Sequence, residues 1–178
     1  MITIEICTEL PSGFDSLVEQ CLPIMEGGTI DWRYMGDPAD DAAKKEELRK
    51  VYQKYIDLPD TRVLYWEKDG IPIHLAAGAI NQSDDQYILW TYALYGKDGN
   101  GSKGWLFDPA YIMQTREFIQ TDMGLAGYLV SCHKGSGLYD YHMSKVGASE
   151  NYEVIEEDSA TPEEAPEITV ARIRYTYI

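Results

Sequence analysis

The sequence predicts a mixed α+β fold, a mostly antiparallel sheet of six or seven strands with helices on both faces. Three observations carry this. Hydrophobic periodicity switches between two and 3.6 residues in the order β-α-α-β-β-β-α-β-α-β-β, which is neither regular βαβ alternation nor an all-β series. Asp69-Gly70 separates two extended runs, and Asp-Gly suits a type I′ hairpin because both central residues need positive φ. Residues 86–95 are apolar on both parities, so both faces of that strand must be covered, which marks the central strand.

Each element follows from local chemistry. Ile2, Ile4 and Ile6 share one face of an opening strand over residues 2–7. Phe14, Leu17, Val18, Cys21, Leu22 and Met25 then recur at three- and four-residue steps, the stripe of a helix that Ser12 or Asp15 caps and Gly27-Gly28 ends. After a loop at 29–41, Asp40 and Asp41 start a second helix at 41–57 with Leu48, Val51, Tyr52, Tyr55 and Ile56 inward. Strands follow at 62–68, 71–80 and 86–95. Asp108-Pro109 supplies cap and first-turn chemistry for a third helix running to Met123, with Ile112, Thr115, Phe118 and Ile119 inward and Gly124 beyond its end. Residues 126–133 alternate again, and 137–146 fit a fourth helix closed by Gly147. A strand at 152–157 leads into an acidic, proline-bearing connection at 156–167. The last strand, 168–178, buries Ala171, Ile173, Tyr175 and Tyr177, with a bulge expected near Val170. The length of 178 residues fits one domain spanning 1–178.

Composition excludes several functions. With 15 basic and 30 acidic residues the net charge is −15, so a nucleic-acid backbone or an anionic membrane surface is repelled. No apolar run is long enough to span a bilayer and no signal peptide opens the chain, so a cytoplasmic location is expected. Cys7, Cys21 and Cys132 read as buried thiols rather than a disulfide framework. His74, His133 and His142 lack metal-ligand spacing, so no metal site is expected. His133, at a strand end, is a candidate general base. Gly99-x-Gly101-x-x-Gly104 spells a dinucleotide fingerprint, but the preceding antiparallel strands are the wrong context. Asp98-x-Asn100-x-Ser102 opens like a calcium loop, yet Lys103 and Pro109 occupy the positions that need Gly and Glu.

In order and length the elements resemble the GNAT-type acyl-CoA N-acyltransferase superfamily. There the central strand leads into Gln/Arg-x-x-Gly-x-Gly/Ala, and here that slot reads Gly96-Lys97-Asp98-Gly99-Asn100-Gly101, with Gly96 in place of Gln/Arg. The family's later pattern, Asn-x-x-Ala-x-x-x-Tyr-x-x-x-Gly, falls on Ser136, Tyr139, Met143 and Gly147. Met143 stands at the tyrosine that often protonates the departing thiolate, and a thioether donates no proton. The resemblance implies acetyl-CoA or another acyl-CoA as cofactor. Tyr92, Ala93 and Leu94 would lie beside the donor, and Gly99, Gly101, Ser102, Lys103, Gly104 and Ser136 would hold its diphosphate. Tyr139 or Tyr141 would replace the missing acid, and Trp32 and Tyr34 would receive a small-molecule or peptide amine. The contrasting reading is a non-catalytic protein on the same fold, viral or an assembly component. It is compatible with a homodimer and takes its support from the departures at Gly96 and Met143.

Overall fold

The computed structural model describes residues 1–22, 38–81, 86–134, 137–146, 148, 151–158 and 170–177. Seven strands and four helices follow in the predicted order: β1 (Ile2–Ile6), α1 (Phe14–Cys21), α2 (Asp41–Asp57), β2 (Thr61–Lys68), β3 (Ile71–Ile80), β4 (Tyr87–Tyr95), α3 (Pro109–Glu117), β5 (Gly127–His133), α4 (Gly137–Lys145), β6 (Tyr152–Asp158) and β7 (Val170–Thr176). A 3-10 turn, Gly104–Phe107, precedes α3, and a π turn, Phe118–Asp122, follows it. The strands hydrogen-bond in the order β1-β2-β3-β4-β5-β7-β6, a seven-stranded mixed sheet. β4 and β5 run parallel, with Tyr87–Trp90 opposite Gly127–Val130. The β1–β2, β2–β3, β5–β7 and β6–β7 pairs are antiparallel.

The chain divides into two compact units, Met1–Ala79 with Tyr92–Phe118, and Ile80–Thr91 with Ile119–Ile178. In the first, α1 and α2 place Phe14, Leu17, Val18, Leu48 and Tyr52 against Val63, Tyr65, Leu75, Ala77 and Leu94 of the strands. The Asp69-Gly70 turn has both φ values positive, 53° and 77°, as type I′ chemistry requires. Asp40 caps α2 through the Ala43 amide, and Asp108 caps α3 through the Ala110 amide with Pro109 in its first turn, both as the residue types dictate.

In the second unit Ile88, Ile119 and Leu125 form a core joined by Ile80, Trp90, Met123, Tyr128 and Tyr177. β5 begins at Gly127 because nothing larger fits: a Cβ there would lie 2.0 Å from the Tyr175 carbonyl oxygen and 3.0 Å from the Thr176 Cα. Gly127→Ala therefore forces β5 and β7 apart. We expect a loss of about 2 kcal/mol or more, read as a lower thermal midpoint; an unchanged midpoint would refute the close approach.

Several expectations need correction. α1 is capped by neither Ser12 nor Asp15: its N-cap is Gly13, with no side-chain cap bond. Asp15 lies inside the first turn, where its carboxylate meets Arg49 of α2 at 2.5 Å. Among the described residues the helix runs to Cys21 with Leu22 as its cap, and Met25 and Gly27-Gly28 lie outside the described residues. α3 ends at Glu117, but the π turn carries the helical path on to Asp122, close to the expected end; Ile119 is buried and Thr115 meets Trp66 as expected, whereas Ile112 is 51% exposed rather than inward. The bulge falls in β6 rather than near Val170, where Ile155 is the extra residue between Val154 opposite Ile173 and Glu156 opposite Arg172. β6 extends to Asp158, so the acidic connection begins later than residue 156, and 159–169 lie outside the described residues.

Candidate functional site

The first unit carries the end of β4 and the glycine-bearing loop. Tyr92 is half-buried and meets Tyr55 edge-on at 5.7 Å. The Leu94 side chain is buried in the α1–α2 core, and its carbonyl accepts the Nδ1–H of His74 at 2.8 Å. His74 is enclosed by the rings of Trp66 and Tyr95, both at 4.4 Å, with Trp105 and Tyr111 beyond. Burial in this aromatic box pushes its pKa down to about 4, so the ring is neutral at pH 7.

The loop after β4 is tightly closed. The Gly96 amide donates to the Ile73 carbonyl at 2.8 Å, and Trp105 Nε1 donates to the Gly96 carbonyl at 3.1 Å. Lys97 donates its amide to Gln20 Oε1. The Asp98 amide reaches the Ser102 carbonyl, and the Gly101 amide reaches the Asp98 carbonyl, each at 2.8 Å. The Asp98 carboxylate then turns inward and accepts the amides of Asn100 at 3.0 Å and Ser102 at 3.1 Å. Gly104 donates to Ser102 Oγ at 2.9 Å. Lys68, at the end of β2, lies 3.7 Å from Asp98 and 3.6 Å from Asp108. The Ser102 amide first, then the Asn100 amide and Lys68, hold the Asp98 carboxyl below the ordinary carboxylate range, against the opposing effect of burial.

The predicted loop residues are thus brought together, Gly99 exposed and Lys103 half-buried, and the donors of the other three turn inward. Gly101, Ser102 and Gly104 donate to the loop itself, and the amide at the start of α3 is taken by Asp108. In this arrangement the loop and the helix end do not fit a diphosphate, whose oxygens need convergent N–H donors and a cation. The trio of Lys68, Asp98 and Asp108 escaped the sequence reading. Its signal was the Asp98-x-Asn100-x-Ser102 spacing, in which a short carboxylate reaches the amides two and four residues on.

The second unit carries β5 and α4. His133 ends β5, but its side chain, like Ser136, Trp32 and Tyr34, lies outside the described residues. Tyr139 and Tyr141 both lie on α4, yet two residues apart they point to different sides of the helix. Tyr141 is 43% exposed, with its ring edge-on to His142 at 5.1 Å and Lys145 Nζ 5.7 Å from its centroid. His142 is only 5% exposed, its Nδ1 has no partner among the described residues, and burial pushes its pKa down to about 4. Tyr128, Tyr152, Tyr175 and Tyr177 extend this aromatic group, and burial raises the Tyr128 pKa well above the ordinary phenol value.

Cys7, Cys21 and Cys132 are free and buried, as expected. Burial pushes the thiols of Cys7 and Cys132 up to about 12, so neither is a nucleophile at neutral pH. Among the described residues no group of three or more potential ligands is placed to hold a metal ion. No helix among them is long and apolar enough to cross a membrane.

No protein-family model matches the sequence, and no curated protein matches it. Solved structures do. An acetyltransferase of the GNAT family from Streptococcus pneumoniae is 12% identical, with 99% of this chain and 100% of that chain covered and a TM-score of 0.55. The spermidine/spermine N-acetyltransferase SpeG from Vibrio cholerae, in complex with manganese ions, is 12% identical over 98% of this chain and 92% of that chain, with a TM-score of 0.58. The PaiA N-acetyltransferase from Thermoplasma acidophilum, in complex with coenzyme A, is 11% identical over 98% and 99%, with a TM-score of 0.55. The seven-stranded order and the four helices of this chain are, on these likenesses, the GNAT acyltransferase fold.

Proposed function

We propose that the protein is an N-acyltransferase that moves an acyl group from a thioester to an amine. The observation that carries the reading is the sheet itself: a central β4 paired in parallel with β5 over Tyr87–Trp90 and continuing to Tyr95, in a fold shared with acetyltransferases. A net charge of −15 favours a cationic amine over an anionic acceptor. The Vibrio cholerae likeness, a spermidine/spermine N-acetyltransferase, supports a small polyamine as the first acceptor to try. Coenzyme A, if it is the carrier, supplies the thioester; the main chain of Tyr92 and Ala93 is the part of this chain left for its arm, since the Leu94 side chain and carbonyl are engaged. The hydroxyls of Tyr139 and Tyr141 are the proton donors proposed in place of Met143, and Tyr141 is the more accessible. His133 keeps the general-base role read from its place at the end of β5, and Ser136, Trp32 and Tyr34 keep the roles that the family resemblance implies.

The test is thiol release from acetyl-CoA, followed with a chromogenic thiol reagent, against a panel of polyamines and peptide amines. Amine-dependent release is expected, and Tyr141→Phe should lower kcat by roughly 10²-fold. No release above the amine-free blank across the panel would reject the reading. A second reading, a non-catalytic protein on the same fold, takes its support from the loop filled by Asp98 and from Met143.

A further inference from the structure

We infer that Asp98 stands in the loop as a resident anion, so that this chain does not anchor a cofactor diphosphate on residues 97–104. A phosphate-binding turn works by aiming several backbone N–H groups at one point and placing a cation beside it. Both features exist here, and both are already used. The amides of Asn100 and Ser102 converge on Asp98 Oδ1 at 3.0 and 3.1 Å. Lys68 lies 3.7 Å from Asp98 Oδ2 and is shared with Asp108 at 3.6 Å. The Asp98 side chain is 7% exposed, so it is a packed component of the turn.

The surroundings fix this arrangement from three sides. Trp105, 1% exposed, holds the Gly96 carbonyl, and Gln20 of α1 holds the Lys97 amide. Gly99 sits so close to Ile71 that an added Cβ would lie 2.9 Å from its Cδ1. The loop is thereby laid against the β2–β3 hairpin that carries Lys68. An incoming diphosphate would have to displace a carboxylate that shares its charge sign and holds its donors. The helix end offers no second berth, because Asp108 occupies the Ala110 amide.

This inference does not depend on the chain being active, and its test separates the two. Backbone amide resonances of Asn100 and Ser102 are followed by ¹⁵N NMR while inorganic pyrophosphate, then acetyl-CoA, is added to the full chain. Both resonances should stay in place up to millimolar ligand. If acetyl-CoA shifts resonances elsewhere and leaves these two unmoved, the inference and the acyltransferase reading both stand. If acetyl-CoA shifts nothing, the inference stands and the acyltransferase reading loses its donor. If either ligand moves the Asn100 and Ser102 amides saturably, the inference is overturned. A second measurement uses Asp98→Ala, with near-UV circular dichroism to check that it folds. Hydrogen exchange at Asn100 and Ser102 should quicken at least tenfold in the variant; equal exchange rates would show that the carboxylate does not hold them, and would also overturn the inference. Should that variant fail to fold, Lys68→Met, which leaves the loop donors in place, should still leave both amides insensitive to pyrophosphate, and a saturable response there would count against the inference.

Discussion

Between pH 6.5 and pH 4 the protein is expected to lose roughly 3 kcal/mol of stability for each of its two buried histidines, His74 and His142. Both rings titrate near 6.5 when unfolded and at about 4 when folded, because burial penalises the charged form. The unfolded chain therefore binds more protons across that window, and stability falls as pH falls. The stabilisation is fully present above pH 6.5, and the loss saturates below about pH 4. Asp69 and Asp98, whose carboxyls are held below their ordinary range, lose their contributions at still lower pH.

The measurement is urea denaturation at pH 7, 5.5 and 4.5. A free energy that falls steeply towards pH 4.5 is expected. His74→Phe should be less stable than the parent at pH 7, since the Leu94 carbonyl loses its donor, but should show a shallower pH slope. His142→Phe has no such bond to lose at Nδ1 and should gain relative to the parent as pH falls. A parent whose stability is flat across the range, or a His74→Phe variant with an undiminished slope, would contradict the assignment.

Trp66→Ala is the single substitution expected to cost most, about 4 kcal/mol. Trp66 is 1% exposed, packs on His74 at 4.4 Å and on Tyr111 at 6.4 Å, and donates its Nε1–H to Thr115 Oγ1 at 3.0 Å. Alanine leaves a cavity beside β2 and β3 and removes the bond that ties α3 to the sheet of the first unit. That bond matters because α3 buries none of its own side chains. Trp66→Phe keeps most of the ring volume and loses the hydrogen bond, so a cost of about 1 kcal/mol is expected. Denaturant midpoints of the two variants check the ranking; a loss under about 1 kcal/mol for the alanine variant would show that α3 and the aromatic box are held by other contacts.

Local chemistry made the element order readable. Asp40 and Asp108 are good caps wherever they stand, Asp69-Gly70 closes a hairpin through two residues' own φ preferences, and apolar periods of two and 3.6 report one strand or one helix at a time. Reading failed where a residue's partner lies far along the chain. Ile112 fits the helical stripe that Thr115 and Ile119 also mark, yet Thr115 meets Trp66 and Ile119 is buried while Ile112, at the start of the helix, faces solvent. Gly127 carries no signal of its own; only the carbonyl of Tyr175 shows why it is glycine. For the site, the glycines of 96–104 resemble an open phosphate turn. Their closure depends on Lys68 thirty residues earlier, on Trp105 beneath and on Gln20 above.

Six or seven strands, four helices, their order, the hairpin and the acidic balance were legible in the residues alone, because these follow from composition and from propensities, caps and periodicity within a few residues. Strand pairing, the burial that keeps His74 and His142 neutral, and the closing of the Asn100 and Ser102 amides onto Asp98 were settled by the folded chain. Those outcomes rest on contacts between residues tens of positions apart, where burial and charge pairing, not local preference, set the energy.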